Sequence, residues 1–349
     1  MLIAALRDLQ WRKRRFIIAV VGTAFVFAMT LVLTGLANGF RVEARNTVDS
    51  FGVDYFLIQE GTVGPFLGSS PFSEAEVARA QRLPGVRAAA PLVYAGTTAM
   101  DGHTARTMNL FGAPTDGPGM PEMDRGRPPA DPDEVAVSST LGRQIGDTLE
   151  IGSNHLKVVG IVDNSTVLAK QPNLFLTVRG AQQMVYGDKP VISSIGIRGD
   201  PAELPPGFVK VDRQGGVDDM MRPLKVAVEA ISIMAMLLWL VAALIVGSII
   251  YMSALERTRD FAVFKAVGVR SGSVLAGLAL QAVIVAVISA LLGVALSLVL
   301  GPLFPMIVVV PDGAYLLLPV VAVSIGLLAS VAGLRRAVLV DPAIAFGGP

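Results

Sequence analysis

Few residues in this chain are arranged to do chemistry. The only histidines, His103 and His155, stand far apart and lack H-E-x-x-H spacing, so they read as solvated side chains rather than metal ligands. Asp131, Asp133 and Glu134 crowd around Pro132 without the spacing of a calcium loop, and turn chemistry accounts for them. Ser138 and Ser139 stand outside any G-x-S-x-G elbow. With no cysteine, disulfides, Cys-ligated zinc and thiol nucleophiles are excluded. No G-x-x-x-x-G-K-[ST] cradle occurs either, so any work driven by ATP needs a separate subunit. The expectation is a protein that is not an enzyme and has no cofactor or metal of its own.

What remains is a concentration of charge at Ala254–Arg270, ALERTRDFAVFKAVGVR, holding Glu256, Arg257, Arg259, Asp260, Lys265 and Arg270. It separates two long uncharged runs, Ala230–Leu255 and Ser271–Pro311. Charges at mid-bilayer cost roughly 2.5–3.5 kcal/mol each, so this stretch does not span and is a loop pinned at a membrane surface. Its spacing is helical: Phe261, Phe264 and Val267 recur at intervals of three, and the charges fall largely elsewhere around the turn. Glu256 and Asp260 suit the first turns, Lys265 the end, and Gly268 a C-cap.

The elements around it follow from composition. Of 349 residues 52% are hydrophobic and 16% charged, well below the ~25% charge of soluble domains, which places the chain in the membrane class. A net charge of +1 offers no nucleic-acid surface. Met1–Arg15 predicts a short interfacial helix, with Leu2, Leu6 and Leu9 on one face, ending in the basic block Arg12–Arg15. The 21 uncharged residues of Phe16–Leu36 are long enough to cross a core ~30 Å thick. Gly35-Leu36-Ala37 resembles a signal-peptidase site, but the apolar run exceeds the usual ~7–15 residues, which favours an uncleaved span. Further spans are expected at Ala230–Leu255, Val274–Leu300 and Gly313–Leu334.

Between the first two spans the composition is that of a soluble α/β domain. Strands are expected at Asp54–Gln59, Val86–Met100, Thr107–Gly112, Val135–Val137, Thr148–Ile151, Leu156–Val162, Asn173–Val178 and Ser193–Arg198. A helix over Ser73–Leu83 would open on an S-x-x-E capping box of Ser73 and Glu76. Gly180–Tyr186 predicts another, Ser138–Leu141 a short one, and Gly117–Pro132 a loop. Pro223 would open a helix leading into the second span. Small residues from Gly277 to Gly293, among them Ala282, Ala286 and Ala290, would let helices approach closely.

The charged stretch carries a resemblance. ERTRDFAVFKAVGV is similar to the coupling-helix motif of FtsX/MacB-type ABC transporter permeases, with Glu256, Arg257, Lys265, Ala266 and Gly268 matching directly and Asp260 standing where Glu is usual. Glu134–Val162, EVAVSSTLGRQIGDTLEIGSNHLKVVGIV, resembles the extracytoplasmic core domain of MacB-type permeases, and LRRAVLVDPAIAF resembles the family's tail. The resemblance implies an α-helical membrane protein with four transmembrane helices and an extracytoplasmic α/β domain inserted between helices 1 and 2. The expected boundaries are 1–15 for a cytoplasmic elbow helix, 16–38 for helix 1, 41–225 for the outer domain and 226–254 for helix 2. Residues 255–270 would be the cytoplasmic coupling helix, 273–301 helix 3, 302–313 an outer loop, 314–334 helix 4 and 335–349 a cytoplasmic tail.

Charge sets the orientation. Met1–Arg15 carries five Lys or Arg, Ala254–Ser273 four and Leu334–Pro349 two, while Gly301–Gly313 carries none, so both termini are expected in the cytoplasm of a bacterial cell with the large domain outside. The implied function is that of a permease subunit, coupling ATP hydrolysis by a separate ATPase chain to motion of the outer domain. Glu256, Arg257, Arg259, Asp260, Phe261, Phe264, Lys265, Ala266 and Gly268 would form the ATPase-coupling site. Implied partners are that ATPase, which binds the ATP, a second permease chain in a homodimer, a periplasmic adaptor or envelope protein, and membrane lipid. The cargo expected is a lipid, lipoprotein or hydrophobic compound, with YMSALERTRDFAVFKAVG and LVDPAIAF nearest to DevC-like exporters. A different class stays open: a membrane-anchored sensor or scaffold with a ligand-binding outer domain and no ATPase coupling. The uncharged spans disfavour a proton-driven carrier.

Overall fold

In the computed structural model, residues 13–101, 104–256, 263 and 271–338 are described. Phe40–Val226 forms one compact unit, and the rest of the described chain forms another.

Helix α1, Lys13–Ser50, runs through the end of the first apolar stretch and on past Arg41, Glu43 and Arg45. The helix thus continues 12 residues beyond the expected end of helix 1 at residue 38, and the polar continuation keeps helical geometry. Strand β1, Tyr55–Gln59, follows, then β2, Phe72–Ser73, and α2, Glu76–Gln81. The capping box does not form, because Ser73 is drawn into β2 opposite Val191, leaving Ala75 to cap α2 without a side-chain bond. Strands β3, Val86–Asp101, and β4, Thr104–Ala113, precede the Gly/Pro-rich loop, whose only regular piece is β5, Arg125–Gly126. Next come β6, Glu134–Ser138, β7, Thr148–Ile151, and β8, Asn154–Val162. A single 3-10 turn at Ser139–Leu141, capped by Ser138, follows β6.

Strands β9, Thr166–Val167, and β10, Gln171–Thr177, lead to α3, Val178–Tyr186, capped by the Thr177 side chain. Strand β11, Val191–Ile192, was not expected, and β12, Ser194–Gly199, matches the Ser193–Arg198 strand expected as the last of the domain. A further strand, β13, Phe208–Asp212, and a helix, α4, Arg213–Met221, follow instead.

The main sheet runs β13-β1-β12-β3-β4-β10-β6-β8-β5. Its pairings are antiparallel except β4 with β10 and β6 with β8. The 16 residues of β3 let its first half pair β12 and its second half β4, which joins the two ends of the sheet into one. Leu57, Leu110, Val137, Leu174, Leu176 and Ile197 lie in one core cluster.

The other unit is helical. After a 3-10 turn holding Pro223 comes α5, Lys225–Glu256, then α6, Ser271–Leu300, and α7, Asp312–Val338. Among the described residues three helices are long and apolar enough to cross a membrane, and Asp312–Leu328 is a shorter apolar stretch within α7. Small residues set the packing, as their spacing suggested. A Cβ on Gly293 would stand 2.8 Å from the Cβ of Phe27, and one on Gly326 would stand 3.1 Å from the backbone of Ala282, so α6 meets both α1 and α7 at glycine contacts. Phe27 and Trp239 pack at 5.5 Å between ring centres, tying α5 to α1. Outward, α5 exposes the apolar side chains Ile233, Met236, Leu240 and Leu244.

Candidate functional site

Of the expected coupling residues, Glu256 is described: it closes α5 with its side chain exposed. Arg257, Arg259, Asp260, Phe261, Phe264, Lys265, Ala266 and Gly268 lie outside the described residues. The site that the structure builds is at the other ends of the same helical runs, where α1 and α4 are fastened into the outer domain.

On α1 the fastening is a buried carboxylate. Glu43 is only 3% exposed. Its Oε1 accepts from the Thr166 hydroxyl at 2.9 Å and its Oε2 from the Lys170 backbone N–H at 3.2 Å. One turn on, the Thr47 hydroxyl donates to the Thr166 carbonyl at 3.1 Å and accepts from Asn173 Nδ2 at 3.1 Å, and the same nitrogen donates to Ser165 Oγ at 3.1 Å. The i, i+4 spacing of Glu43 and Thr47 puts both on one face of α1. Burial pushes the Glu43 carboxyl above its ordinary 4.5, and the bonds from Thr166 and Lys170 oppose that rise.

The segment Glu43 holds is strained. Leu168, Ala169 and Lys170 take φ of +56°, +65° and +68° in succession. Left-handed conformations cost L-residues about 1–2 kcal/mol each, so this β9–β10 turn depends on what grips it. The carboxylate of Glu43 is part of that grip.

On α4 a second buried carboxylate plays the corresponding part. Asp219, 1% exposed, accepts from the Phe66 N–H at 2.8 Å and the Gly68 N–H at 3.1 Å, and pairs with Arg222 at 3.0 Å. Gly64 leaves room for it, since a Cβ there would come within 2.1 Å of the Asp219 Cγ. Arg222 also donates to the Val63 carbonyl at 3.1 Å.

The second fastening also reaches the end of α1. The loop that Asp219 holds carries Phe66, whose ring packs on Phe51, directly after α1, at 5.8 Å and on Phe56 at 5.2 Å. Tyr94 and Phe111 complete the cluster at 5.8 and 6.0 Å. The Tyr94 hydroxyl donates to Asn109 at 3.0 Å, and burial together with the Asp219 charge pushes it up to about 12. Phe66 thus touches the end of α1 with its side chain and α4 with its backbone.

In the helical unit, α1 carries another attachment. A Cβ on Gly39 would fall 1.9 Å from the Ile307 carbonyl oxygen and one on Gly35 2.7 Å from Val308 Cγ1. Through these notches the segment between α6 and α7 lies against α1, with Val309 N–H donating to the Gly35 carbonyl at 3.0 Å and Asn38 Nδ2 to the Val309 carbonyl at 2.9 Å. Gly35, which opens the sequence that mimics a cleavage site, therefore has a packing reason.

None of this was singled out in the sequence except Gly35. Glu43 and Asp219 look like ordinary surface acids there, and their partners are 123 and 153 residues away. The Gly35-x-x-x-Gly39 spacing was the one available signal. Elsewhere Glu134, the first residue of β6, accepts from Arg127 and from the Ala130 N–H at 3.0 Å, which holds it down at about 2, and His155 pairs on the surface with Glu150 at 3.5 Å. His103 lies outside the described residues. No cluster of metal-binding side chains occurs among the described residues.

Two family descriptions match the chain: MacB-like periplasmic core domain over residues 16–209, and FtsX-like permease C-terminal over residues 232–342. A protein of Mycobacterium tuberculosis named as an ABC transporter permease is 63% identical over 349 residues, with 100% of both chains covered. A Staphylococcus haemolyticus protein named for hemin transport, the permease protein HrtB, is 19% identical over 360 residues, covering 99% of each chain. The crystal structure of the periplasmic region of MacB from Actinobacillus actinomycetemcomitans matches 47% of this chain and 91% of that one, at 11% identity and a TM-score of 0.35.

Proposed function

Since the chain belongs to the FtsX-like, MacB-like family of ABC transporter permeases, whose membership implies a partner ATPase, we propose that it moves its outer domain in response to ATP turnover on that partner. In this reading four helices span the membrane, α7 supplying the fourth, and the sheet domain is inserted outside between the first and second. Both termini lie in the cytoplasm. Glu256–Gly268 forms the coupling helix against a separate ATPase that binds all the ATP, and two copies of the chain work together. The cargo is a lipid, lipoprotein or other hydrophobic compound, a class that also suits the relative named for hemin transport.

The observation that carries this reading is that Phe66 links α4 to the end of α1. Helices α1 and α4 are each fastened by a buried carboxylate, and the loop that Asp219 holds sets Phe66 against Phe51, directly after α1. A displacement of α1 against the α4–α5 run is therefore expected to load the sheet domain directly, without a slack loop between. Buried acidic pairs for ion passage are not needed, because cargo is handled at the outer domain and does not cross between the helices. Co-purification from native membranes tests the proposal. A stoichiometric ATPase subunit, lost in Glu256→Lys, is expected; a preparation free of any ATPase would instead favour a membrane-anchored sensor or scaffold.

A further inference from the structure

We propose that the groove between α1 and α6 holds an acyl chain of an anionic phospholipid whose headgroup sits at Arg14. This rests on the reading of both helices as membrane spans.

The groove measures about 270 Å³ and is walled by Phe16, Ile17, Val20 and Val21 on one side and by Ile284, Val285 and Ile288 on the other. Every wall residue is apolar, so the groove offers nothing to hydrate water and suits a hydrocarbon chain. Several walls are open outward: Ile17 is 57% exposed, Val21 49% and Ile288 48%.

Position along the helix selects the headgroup. From Phe16 to Val21 is about 7.5 Å of helix rise, well within the ~15 Å of one leaflet's hydrocarbon. Helical spacing sets Arg14 one turn before Ile17–Ile18, which puts a cation at the polar end of the groove. Arg14 is exposed. Met1–Arg15 carries five basic residues against one acid, Asp8, so this end of the span attracts anionic headgroups at about 1 kcal/mol, or fivefold, per cation. A second copy of the chain is a poorer occupant, because a symmetric contact would bring two such blocks together.

The absence of cysteine makes the test direct. Full-length Ile288→Cys and Ile18→Cys variants are labelled with a fluorophore and reconstituted in vesicles containing either brominated-acyl phosphatidylglycerol or brominated-acyl phosphatidylcholine at equal mole fraction. Ile18 is 73% exposed and does not line the groove, so it reports bulk lipid. The expected result is at least fivefold more effective quenching by the anionic lipid at position 288 but not at position 18. That preference is expected to disappear in Arg14→Gln. Equal ratios at both positions would overturn the proposal. So would quenching at position 18 with none at 288, which would mean that protein covers the groove: the chain's own first ten residues or another copy. Absence of quenching at both positions would remove the membrane reading itself.

Discussion

Replacing Asp219 with asparagine preserves volume and removes one acceptor. In the native arrangement the carboxylate takes the Phe66 N–H at 2.8 Å on one oxygen and the Gly68 N–H at 3.1 Å on the other. An amide has one oxygen: placed to take the Phe66 N–H it leaves the Gly68 N–H only the long 3.5 Å bond and an NH2 group facing it, and placed the other way it strands the Phe66 N–H. A bond to a charged acceptor contributes about 1.5–3 kcal/mol, a neutral one about 0.5–1.5, and a stranded buried donor costs about 1–3. Arg222 adds little to the loss, because its side chain is 39% exposed. The net effect on holding the Phe66 loop is about 2–3 kcal/mol, which is about a 30- to 150-fold change in its opening equilibrium. Hydrogen exchange by mass spectrometry on the full-length protein reads this directly. The amides of Phe66 and Gly68 are expected to exchange about 30- to 150-fold faster in Asp219→Asn, with those of β8 unchanged. Exchange at Phe66 within twofold of the parent would refute the claim that this carboxylate fastens the loop to α4.

Glu43→Gln tests the other fastening through its pH dependence. A carboxyl raised above 4.5 in the folded state contributes stability that is fully present below 4.5 and is lost as pH rises through its folded value. Thermal unfolding of the parent is therefore expected to weaken over that window more than that of Glu43→Gln; equal slopes would deny Glu43 this burial cost. Glu134 has the opposite sign: lowered from 4.5 to about 2, it contributes stability above 4.5 that is lost as pH falls through 2. Glu134→Gln is expected to cost about 1 kcal/mol at pH 7 and almost nothing near pH 2, read as the unfolding midpoint at each pH. Gly39→Leu is expected to lift Ile307–Val310 off α1, seen as severalfold faster maleimide labelling of a cysteine placed at Val308, with an unchanged rate arguing against the notch.

Local patterns carried well where structure is local. The β7–β8 hairpin is visible in the alternation of TLEI and the Gly152-Ser153 turn, and Ser138 marks the 3-10 turn that it caps. The continuation of α1 was hidden by Arg41, Glu43 and Arg45, which end an apolar run but not a helix. Strand β13 follows Pro205-Pro206-Gly207 and carries Lys210 and Asp212, so it resembles a loop until it pairs with β1. Helix α4 contains Gly215-Gly216 and forms because Asp212 caps it and Asp219 and Met220 are buried. The expected coupling residues rest on resemblance alone, whereas nothing in the sequence pointed to Glu43, Asp219 and Phe66. Their roles exist only once chain segments more than a hundred residues apart meet.

The most direct measurement is ATP hydrolysis by the complex of this chain with its ATPase in reconstituted membranes, parent against Glu256→Lys. Coupling through Glu256–Gly268 predicts that the variant stays in the membrane, keeps the exchange protection of its outer domain and loses the stimulation that the parent gives. Stimulation equal to the parent's would contradict it and would move the ATPase contact away from this stretch.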